Sequence, residues 1–438
     1  MKTLILLNWR RLAKSELDQI LKIKPCRIVA IYSASAAKEE LTDATKRLLD
    51  ASHIVPTVGT ESIFQAGTLS EKAVQDIIMH ELEHLGQQPE KIRIACNDEL
   101  SMTLLGRLHD EFHIPGLSED ILLAYRDKHV MKDRLQMAGI RIPKNQHLHI
   151  FEPGDPTEAY LKTLMEEYQF PIVIKPTAGV GSLDTTIVRD FTTLKTIYEH
   201  CRQASNIAFE VNEYIEGTVY HCDTIVQNGT VIFQVASEYL YPNITYSQQN
   251  KPITSLLLKS DDPLRKRLQT FASEVLNTLG HINSMTHMEL FYTPQDEIVF
   301  LEVCARPPGS ATLPAYERMF NFNALKAMLM CTLDIEITPP LKDPDIYCFG
   351  GRVPYKKGEV IALHEPTLQS QSEWRWTINP GDTIPRNSTL TREYAAEFFV
   401  WNTDYNQLKA DFETVRQFNG YIEVIPDHAN GAPPTTNT

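Results

Sequence analysis

In the N-terminal part of the chain, short apolar runs alternate with stretches of helical periodicity. The apolar runs are Leu4 to Leu7, Arg27 to Tyr32 and Lys91 to Ala95, and helical patterns cover Thr68 to Leu85 and Leu100 to Phe112. This alternation is typical of an α/β layer with a parallel sheet. We therefore predict a small α/β domain at the N-terminus.

Three polar residues, Asn97, Asp98 and Glu99, directly follow the third apolar run. Open α/β sheets bind ligands at the carboxyl ends of their parallel strands. These side chains therefore either contact a substrate or cap the next helix, where acidic residues interact well with the helix dipole.

The central part of the chain contains two lysines of interest, one inside a predicted helix pair and one at the end of a predicted strand. Ser118 to Gly139 predicts a capped helix pair that contains Lys128, and Phe170 to Lys175 predicts a strand that ends in Lys175. Small residues follow at Gly179, Gly181 and Ser182. Their backbone N–H groups can approach an anion closely, so the pattern favours a phosphate site, with a glycine-containing hairpin turn as the alternative.

A β-hairpin is predicted from Tyr220 to Val235, because alternating residues flank an Asn-Gly turn. His221 and Asp223 then lie on the same face of the sheet, either as site residues or as hydrogen-bonded sheet residues. The next stretch, Tyr239 to Ser255, is polar and aromatic with two prolines. We expect a surface loop there, with a mobile active-site loop as the alternative.

An apolar run from Ile298 leads directly into Glu302 and Arg306, and buried charge is costly unless a metal or a counter-ion meets it. The segment Tyr292 to Glu297 reads as a hairpin loop, which places Glu289 and Glu302 side by side on an antiparallel pair. Two such carboxylates suit Mg²⁺, which keeps water and phosphate as its other ligands. The alternative is two solvated acids and an arginine at a strand edge.

The remaining patterns predict further helices and strands, the last of which form a small α+β lobe. The helices are Phe191 to Gln203, Pro263 to Gly280, Asn321 to Cys331 and Asp404 to Phe418. The strands are Ala208 to Gly217, Tyr347 to Val353, Glu359 to Ala362, Trp374 to Ile378, Phe398 to Val400 and Tyr421 to Ile425. The tail from Pro426 to Thr438 is rich in Pro, Asn and Thr, and we expect it to be disordered.

Composition indicates a globular protein whose function lies in pockets. The formal net charge of -14 and the pI near 5.5 argue against nucleic-acid and anionic-membrane partners. The seven cysteines contain no CxxC pair, so we expect reduced thiols rather than a disulfide framework or a zinc site. No apolar run is long enough for a signal peptide or a membrane span, and we expect a cytoplasmic protein.

Taken in order, these motifs resemble the ATP-grasp superfamily, specifically the biotin-carboxylase-like carboxylate–amine ligases that include L-amino-acid ligases. The motifs are Asp127-Lys128 with Ala138-Gly-Ile-x-x-Pro143, Phe170-Pro-x-Val-x-Lys175-Pro, Glu213-Tyr-Ile-Glu-Gly217, His287-x-Glu289, Leu301-Glu-Val-x-Ala-Arg-Pro307 and Gly351-Arg-Val-Pro-x-x-x-Gly358. Each motif is weak alone, and the combination of order and spacing is specific. The resemblance covers about residues 90 to 425.

The resemblance implies an ATP-grasp fold of mixed α/β and α+β class. It divides the chain into a Rossmann-like pre-ATP-grasp domain at 1–120, a small lid subdomain at 121–205, a large subdomain with the metal site at 206–338, a C-terminal α+β lobe at 339–425 and the tail at 426–438.

The resemblance also implies roles for individual residues. Lys128 and Lys175 would hold the α and β phosphates of ATP, and the loop of Gly179, Gly181 and Ser182 would close over the triphosphate. The adenine would be lined by Asn212, Glu213, Tyr214 and Ile215. Glu289 and Glu302 would bind one or two Mg²⁺ ions, with Mn²⁺ as a substitute, and Arg306 would stabilise the transferred phosphoryl group or the substrate carboxylate.

Two positions depart from the family pattern. Cys304 stands where an asparagine commonly ligates a second Mg²⁺, and a thiol is a poor ligand for so hard a cation. Asn212 stands where an acid often receives the adenine amino group, although its amide oxygen can accept the same hydrogen bond.

The expected activity is an ADP-forming ligase that activates a small carboxylate as an acyl phosphate and couples it to an amine. The alternatives are an ATP-grasp kinase and a non-catalytic nucleotide-binding protein. The oligomeric state stays open, although a homodimer is the usual arrangement in similar proteins.

Overall fold

The computed structural model describes residues 1–59, 68–152, 157–177, 179, 181, 184–204, 207–340 and 343–425. Ser182 and the tail from Pro426 lie outside these residues. The described residues form two compact units. The first comprises Met1–Glu238, Leu258–Pro308 and Phe320–Asp343, and the second comprises Tyr239–Leu257, Gly309–Met319 and the residues from Pro344 onward.

The first unit begins with the predicted α/β layer. Its elements are β1 (Thr3–Leu7), α1 (Leu17–Ile23), β2 (Arg27–Ser33), α2 (Ala34–Glu40), α3 (Asp43–Lys46), β3 (Ala51–Val55), β4 (Thr57–Val58), β5 (Thr68–Leu69), α4 (Glu71–His84), β6 (Ile92–Ala95) and α5 (Met102–Glu111). Strands β3-β2-β1-β6 form a parallel sheet, as predicted. The helix predicted from Thr68 begins only at Glu71, because Thr68 and Leu69 pair with β4 and Ser70 caps the helix.

A four-stranded antiparallel sheet backed by helices follows. The elements are α6 (Glu119–Ala124), α7 (Lys128–Met137), β7 (Asn145–His147), α8 (Thr157–Tyr168), β8 (Ile172–Pro176), β9 (Thr186–Val188), α9 (Phe191–Gln203) and β10 (Phe209–Glu213). The strand order is β7-β10-β8-β9, and the buried side chains of α8 and α9 share one apolar core with these strands. Ser118 caps α6, as predicted, and Asp127 caps α7.

The next segment contributes the strands that carry the predicted metal ligands. Its elements are β11 (Thr218–Gln227), β12 (Thr230–Tyr239), α10 (Ile244–Gln248), β13 (Ile253–Leu257), α11 (Pro263–Leu279), β14 (Met285–Tyr292), β15 (Ile298–Cys304), α12 (Thr312–Phe320) and α13 (Ala324–Thr332). In the first unit, β15-β14-β11-β12 form an antiparallel sheet whose apolar face packs in the same core as the N-terminal layer. The surface loop predicted at Tyr239 to Ser255 is wrong, because α10 and the buried strand β13 occupy it.

The second unit combines the segment from Pro344 onward, where the sequence predicts an α+β lobe, with Tyr239–Leu257 and Gly309–Met319. Its remaining elements are β16 (Tyr347–Val353), β17 (Gly358–Leu363), β18 (Gln371–Trp376), β19 (Thr383–Ile384), β20 (Ala396–Asn402), α14 (Tyr405–Gln417) and β21 (Ile422–Ile425). Within this unit β13-β16-β20-β18 form one antiparallel sheet and β19-β17-β21 a second. In the part of the chain that the structure describes, no helix combines the length and apolar character needed to cross a membrane.

Candidate active site

The two predicted metal ligands lie side by side on β14 and β15. Glu289 is the direct cross-strand neighbour of Glu302 in the antiparallel register. The hairpin loop between the strands closes through a hydrogen bond from Thr293 N to Glu297 O of 3.0 Å. The register predicted from the sequence is therefore confirmed, and it brings two carboxylates together as hard oxygen donors of the kind Mg²⁺ prefers.

Lys128 lies at the start of α7 and joins this carboxylate pair to the glycine loop. Its Nζ is 3.4 Å from Glu302 Oε2 and donates to Gly179 O at 3.1 Å. Burial works against the charge on Lys128, but Glu302 and Glu99 overcome it and raise the pKa of this lysine. The pKa of Glu302 is held well below its usual range, because Lys128, Lys175 and Arg306 outweigh its burial. Both groups are therefore charged at neutral pH.

The glycine loop is described only at two of its three predicted residues. Gly179 is half-buried, and Gly181 is exposed with a φ of 62°, a left-handed conformation that glycine adopts without strain. The structure thus places Gly179 at the site through its carbonyl, while Ser182 lies outside the described residues.

Lys175 is the residue before the last in β8, close to the predicted strand end, and faces a carboxylate on the neighbouring strand. Glu210 of β10 is its cross-strand partner, and the Lys175 Nζ to Glu210 Oε1 distance is 3.6 Å. Glu210 is completely buried, and its pKa is lowered because Lys132 and Lys175 outweigh the burial. Sequence reasoning missed Glu210, which stands among apolar residues of a strand and carries no motif of its own.

Lys132 is a third lysine of the site that sequence reasoning also missed. It lies one turn after Lys128 on α7, and its Nζ is 2.7 Å from Glu210 Oε1 and 2.5 Å from Asn212 Oδ1. Burial, and then the nearby charge of Lys175, lower the pKa of Lys132 to about 7. The spacing of four residues from Lys128 is the sequence signal that points to it, since residues four apart share a helix face.

The four residues expected to line the adenine differ in their surroundings. The Asn212 amide oxygen accepts from Lys132, while its Nδ2 is buried with no hydrogen-bond partner among the described residues. Glu213 binds Arg141 through two hydrogen bonds of 2.9 and 3.1 Å. Tyr214 is half-buried beside Arg189, and Ile215 is buried. Among the described residues, Asn212 is the one of these four that forms a hydrogen bond with a lysine side chain of the site, that of Lys132.

Arg306 follows β15 and binds a carboxylate of the N-terminal layer. Its Nε donates to Glu99 Oε2 at 2.8 Å, and Arg126 lies 3.5 Å from the other oxygen of Glu99. Burial is outweighed by these two arginines, so the pKa of Glu99 is lowered. Of the predicted polar triplet, Glu99 reaches the site. Asn97 instead binds the backbone of Arg10.

The site concentrates positive charge around its carboxylates, which suits a metal-bound polyphosphate. The cationic side chains are Lys128, Lys175, Arg126 and Arg306, joined by Lys132 below its lowered pKa of about 7, and the carboxylates are Glu99, Glu210, Glu289 and Glu302. Cys304 is buried next to them, and burial raises the pKa of its thiol well above the ordinary value. The donors that fit Mg²⁺ are therefore the two carboxylates of β14 and β15, without the thiol.

Comparisons with known proteins identify a family model and curated relatives that match this chain. Residues 109–310 match the family model of an ATP-grasp domain. An L-arginine-specific L-amino acid ligase of Bacillus subtilis is 24% identical over 346 residues, which cover 76% of this chain and 81% of that protein. An alanine–anticapsin ligase of Bacillus subtilis strain 168 is 21% identical over 345 residues, which cover 74% and 66% of the two chains.

Solved structures share the fold at lower identity. An L-amino acid ligase from Bacillus licheniformis superposes with a TM-score of 0.64 at 14% identity, covering 98% of this chain and 99% of that chain. An N5-carboxyaminoimidazole ribonucleotide synthetase from Thermotoga maritima gives 0.64 at 14% identity, covering 98% and 100%. At these identities the likeness concerns the fold.

Proposed function

We propose that this chain is an ATP-dependent ligase of the ATP-grasp superfamily that joins a small carboxylate to an amine and releases ADP and phosphate. The ATP-grasp fold predicted from the sequence is confirmed. The observation that carries the proposal is the charged pair of Lys128 and Glu302 beside Glu289, because it joins a phosphate-binding cation to a metal-binding carboxylate pair. The named relatives are ligases that act on amino acids.

In the proposed reaction, an oxygen of the substrate carboxylate attacks the γ-phosphorus of ATP, and ADP leaves. The amine then attacks the acyl carbon of the acyl phosphate, and inorganic phosphate leaves. Lys128 and Lys175 hold the α and β phosphates as fixed point charges. Positioning and charge neutralisation supply most of the rate in phosphoryl transfer.

Glu289 and Glu302 would hold Mg²⁺, which would neutralise charge on the phosphate oxygens. Arg306 is the catalytic arginine of the proposal. Its planar fork suits a carboxylate or a phosphoryl group, and Glu99 holds it from the other side. The adenine is placed against Asn212, Glu213, Tyr214 and Ile215, and the loop of Gly179, Gly181 and Ser182 covers the triphosphate.

The number of metal ions, the class of substrates and the location of the protein are part of the same proposal. The enzyme uses one or two Mg²⁺ ions, with Mn²⁺ as a substitute, and takes small-molecule substrates rather than nucleic acid or membrane. We place it in the cytoplasm, and a homodimer is the arrangement that the resemblance to similar proteins implies. The seven free cysteines fit a reducing compartment.

A hydroxylamine trap with ADP detection tests the proposal. Candidate carboxylates are incubated with ATP, Mg²⁺ and hydroxylamine, and both hydroxamate and ADP are measured. Hydroxamate supports acyl activation, ADP without hydroxamate supports a kinase, and ATP binding with neither product supports a non-catalytic protein. Glu302→Ala is expected to abolish the reaction, and Glu274→Ala on the exposed side of α11 is the matched control. Full turnover by Glu302→Ala would remove the metal assignment.

A further inference from the structure

Six side chains form two rows on one face of β11, β14 and β15. The strand register gives one row as His221, Glu289 and Glu302, and the other as Asp223, His287 and Cys304. Because alternate residues of a strand point to the same face, the two rows lie next to each other. The first row contains both proposed metal ligands. The second contains a buried acid and a buried histidine to which the proposed reaction assigns no role.

A chain of polar contacts runs from the second row into the first. Asp223 Oδ1 is 2.6 Å from His287 Nδ1, and Asp223 Oδ2 is 2.9 Å from His221 Nδ1. The opposite ring nitrogen of His287, Nε2, lies 3.5 Å from Glu289 Oε1. An ionised carboxylate only accepts hydrogen bonds, so His287 Nδ1 carries the hydrogen toward Asp223. The ring is thereby fixed with Nε2 directed at Glu289, and this nitrogen donates to that carboxylate in the ring form that carries hydrogens on both nitrogens.

We propose that Asp223 and His287 are positioning residues for the metal site: Asp223 fixes the ring of His287, and His287 holds the carboxylate of Glu289 beside Glu302. This inference rests on the proposed function, which places Mg²⁺ at Glu289 and Glu302. An unrestrained glutamate loses rotamer freedom when it binds a metal, and a preformed contact removes part of that cost. Groups that orient a metal ligand typically change metal affinity by about 10- to 100-fold.

The alternative role for His221, Asp223 and His287 is to bind a transition metal. The ligand atoms of His221, Asp223 and His287 lie within 4.8 Å of one another, and two histidines with one carboxylate are a known donor set. The distances of 2.6 and 2.9 Å match direct N–H···O hydrogen bonds, so the geometry favours the positioning role.

The test measures metal binding directly, with Mn²⁺ in place of Mg²⁺. Free Mn²⁺ is followed by electron paramagnetic resonance while it is titrated into protein with equimolar ADP, and a protein-free blank corrects for the ADP complex. We expect Asp223→Asn and His287→Asn to weaken Mn²⁺ binding about 10- to 100-fold, with ADP affinity in the absence of metal unchanged. The matched control is His109→Asn, which removes a buried histidine hydrogen-bonded to Leu117 O and is expected to bind Mn²⁺ normally.

His287→Gln keeps a donor near the Nε2 position and loses the bond to Asp223, so its Mn²⁺ affinity is expected between those of the wild type and His287→Asn. Wild-type Mn²⁺ affinity in the Asp223→Asn variant, or in either folded His287 variant, overturns the inference. A transition metal that copurifies with the wild type at one per chain and is lost in Asp223→Asn also overturns it. Two other results would contradict the proposed function rather than this inference. They are a wild type that binds no Mn²⁺ in the presence of ADP, and a Glu302→Ala variant that binds Mn²⁺ as the wild type does.

Discussion

The ammonium group of Lys128 lies 3.4 Å from the carboxylate of Glu302. A lysine proposed to bind phosphate and an acid proposed to bind metal therefore neutralise each other's charge. The side chain of Lys128 is 9% exposed to solvent and that of Glu302 is 29% exposed. Because water reaches these groups poorly, each charge needs a partner of opposite charge. A metal-bound polyphosphate supplies each of them with a new partner of opposite charge, and the pair can separate without leaving a charge uncompensated.

The first prediction concerns Lys128→Met. This variant removes the cation that meets both Glu302 and the glycine loop, and we expect kcat/KM for ATP to fall by about 10²-fold, as for other preorganised charges at a reacting group. Steady-state ADP release measures the change. Lys162→Met, which removes an exposed lysine of α8, is the control and should behave as the wild type. An unchanged kcat/KM in Lys128→Met would exclude a phosphate-binding role.

The second prediction separates the charge of Arg306 from its shape. Arg306→Lys keeps the positive charge but loses the planar fork that meets Glu99, so we expect KM for the carboxylate to rise at least about tenfold while KM for ATP changes little. Initial rates with each substrate varied in turn measure the two effects. A rise in KM for ATP alone would assign Arg306 to the nucleotide instead.

The helices and strands that carry the site could be predicted from local sequence patterns. This is possible because hydrophobic periodicity and turn residues depend only on neighbouring positions in the chain. The apolar run before Glu302 and the loop from Tyr292 gave the pairing of Glu289 with Glu302, which the register confirms. The helix cap at Ser118 was also predicted correctly, because the start of a helix depends on a few adjacent residues.

Contacts between distant segments could not be predicted in the same way. Lys132 had no local signal beyond its spacing from Lys128, because most lysines are exposed and only the approach of β10 buries this one. The approach of Glu99 to Arg306 joins residues 207 positions apart. The stretch from Tyr239 to Ser255 is polar enough to read as a loop, yet pairing with β16 turns its end into a strand.

The third prediction uses the lowered pKa of Lys132. In the folded chain this pKa is about 7, whereas the ordinary value is 10.5, so unfolding takes up a proton between these two pH values. The folding stability contributed by this group therefore rises as pH increases from about 7 toward 10.5, by at most about 1.4 kcal/mol per pH unit, and is constant below pH 7.

The matched comparison for Lys132 is Lys132→Met, in which Glu210 keeps Lys175 at 3.6 Å as a partner of opposite charge. Denaturant unfolding at pH 6, 7, 8 and 9 measures the difference in free energy of unfolding between wild type and variant. We expect the difference to change in favour of the wild type above pH 7. A difference that is the same at all four pH values would show that Lys132 keeps its proton in the folded chain.

The fourth prediction concerns Cys304, which lies on β15 between Glu302 and Arg306. Burial raises the pKa of its thiol well above the ordinary value, so the group stays protonated at neutral pH and is no ligand for Mg²⁺. We expect Cys304→Ala to bind the same number of Mn²⁺ ions per chain as the wild type in the presence of ADP. Cys304→Asn places an amide oxygen at the same position, and we expect it to add a ligand and raise the number of bound ions or their affinity. Loss of an ion in Cys304→Ala would instead identify the sulfur as a metal ligand, and equal binding by all three proteins would show that the carboxylate pair alone sets the metal content.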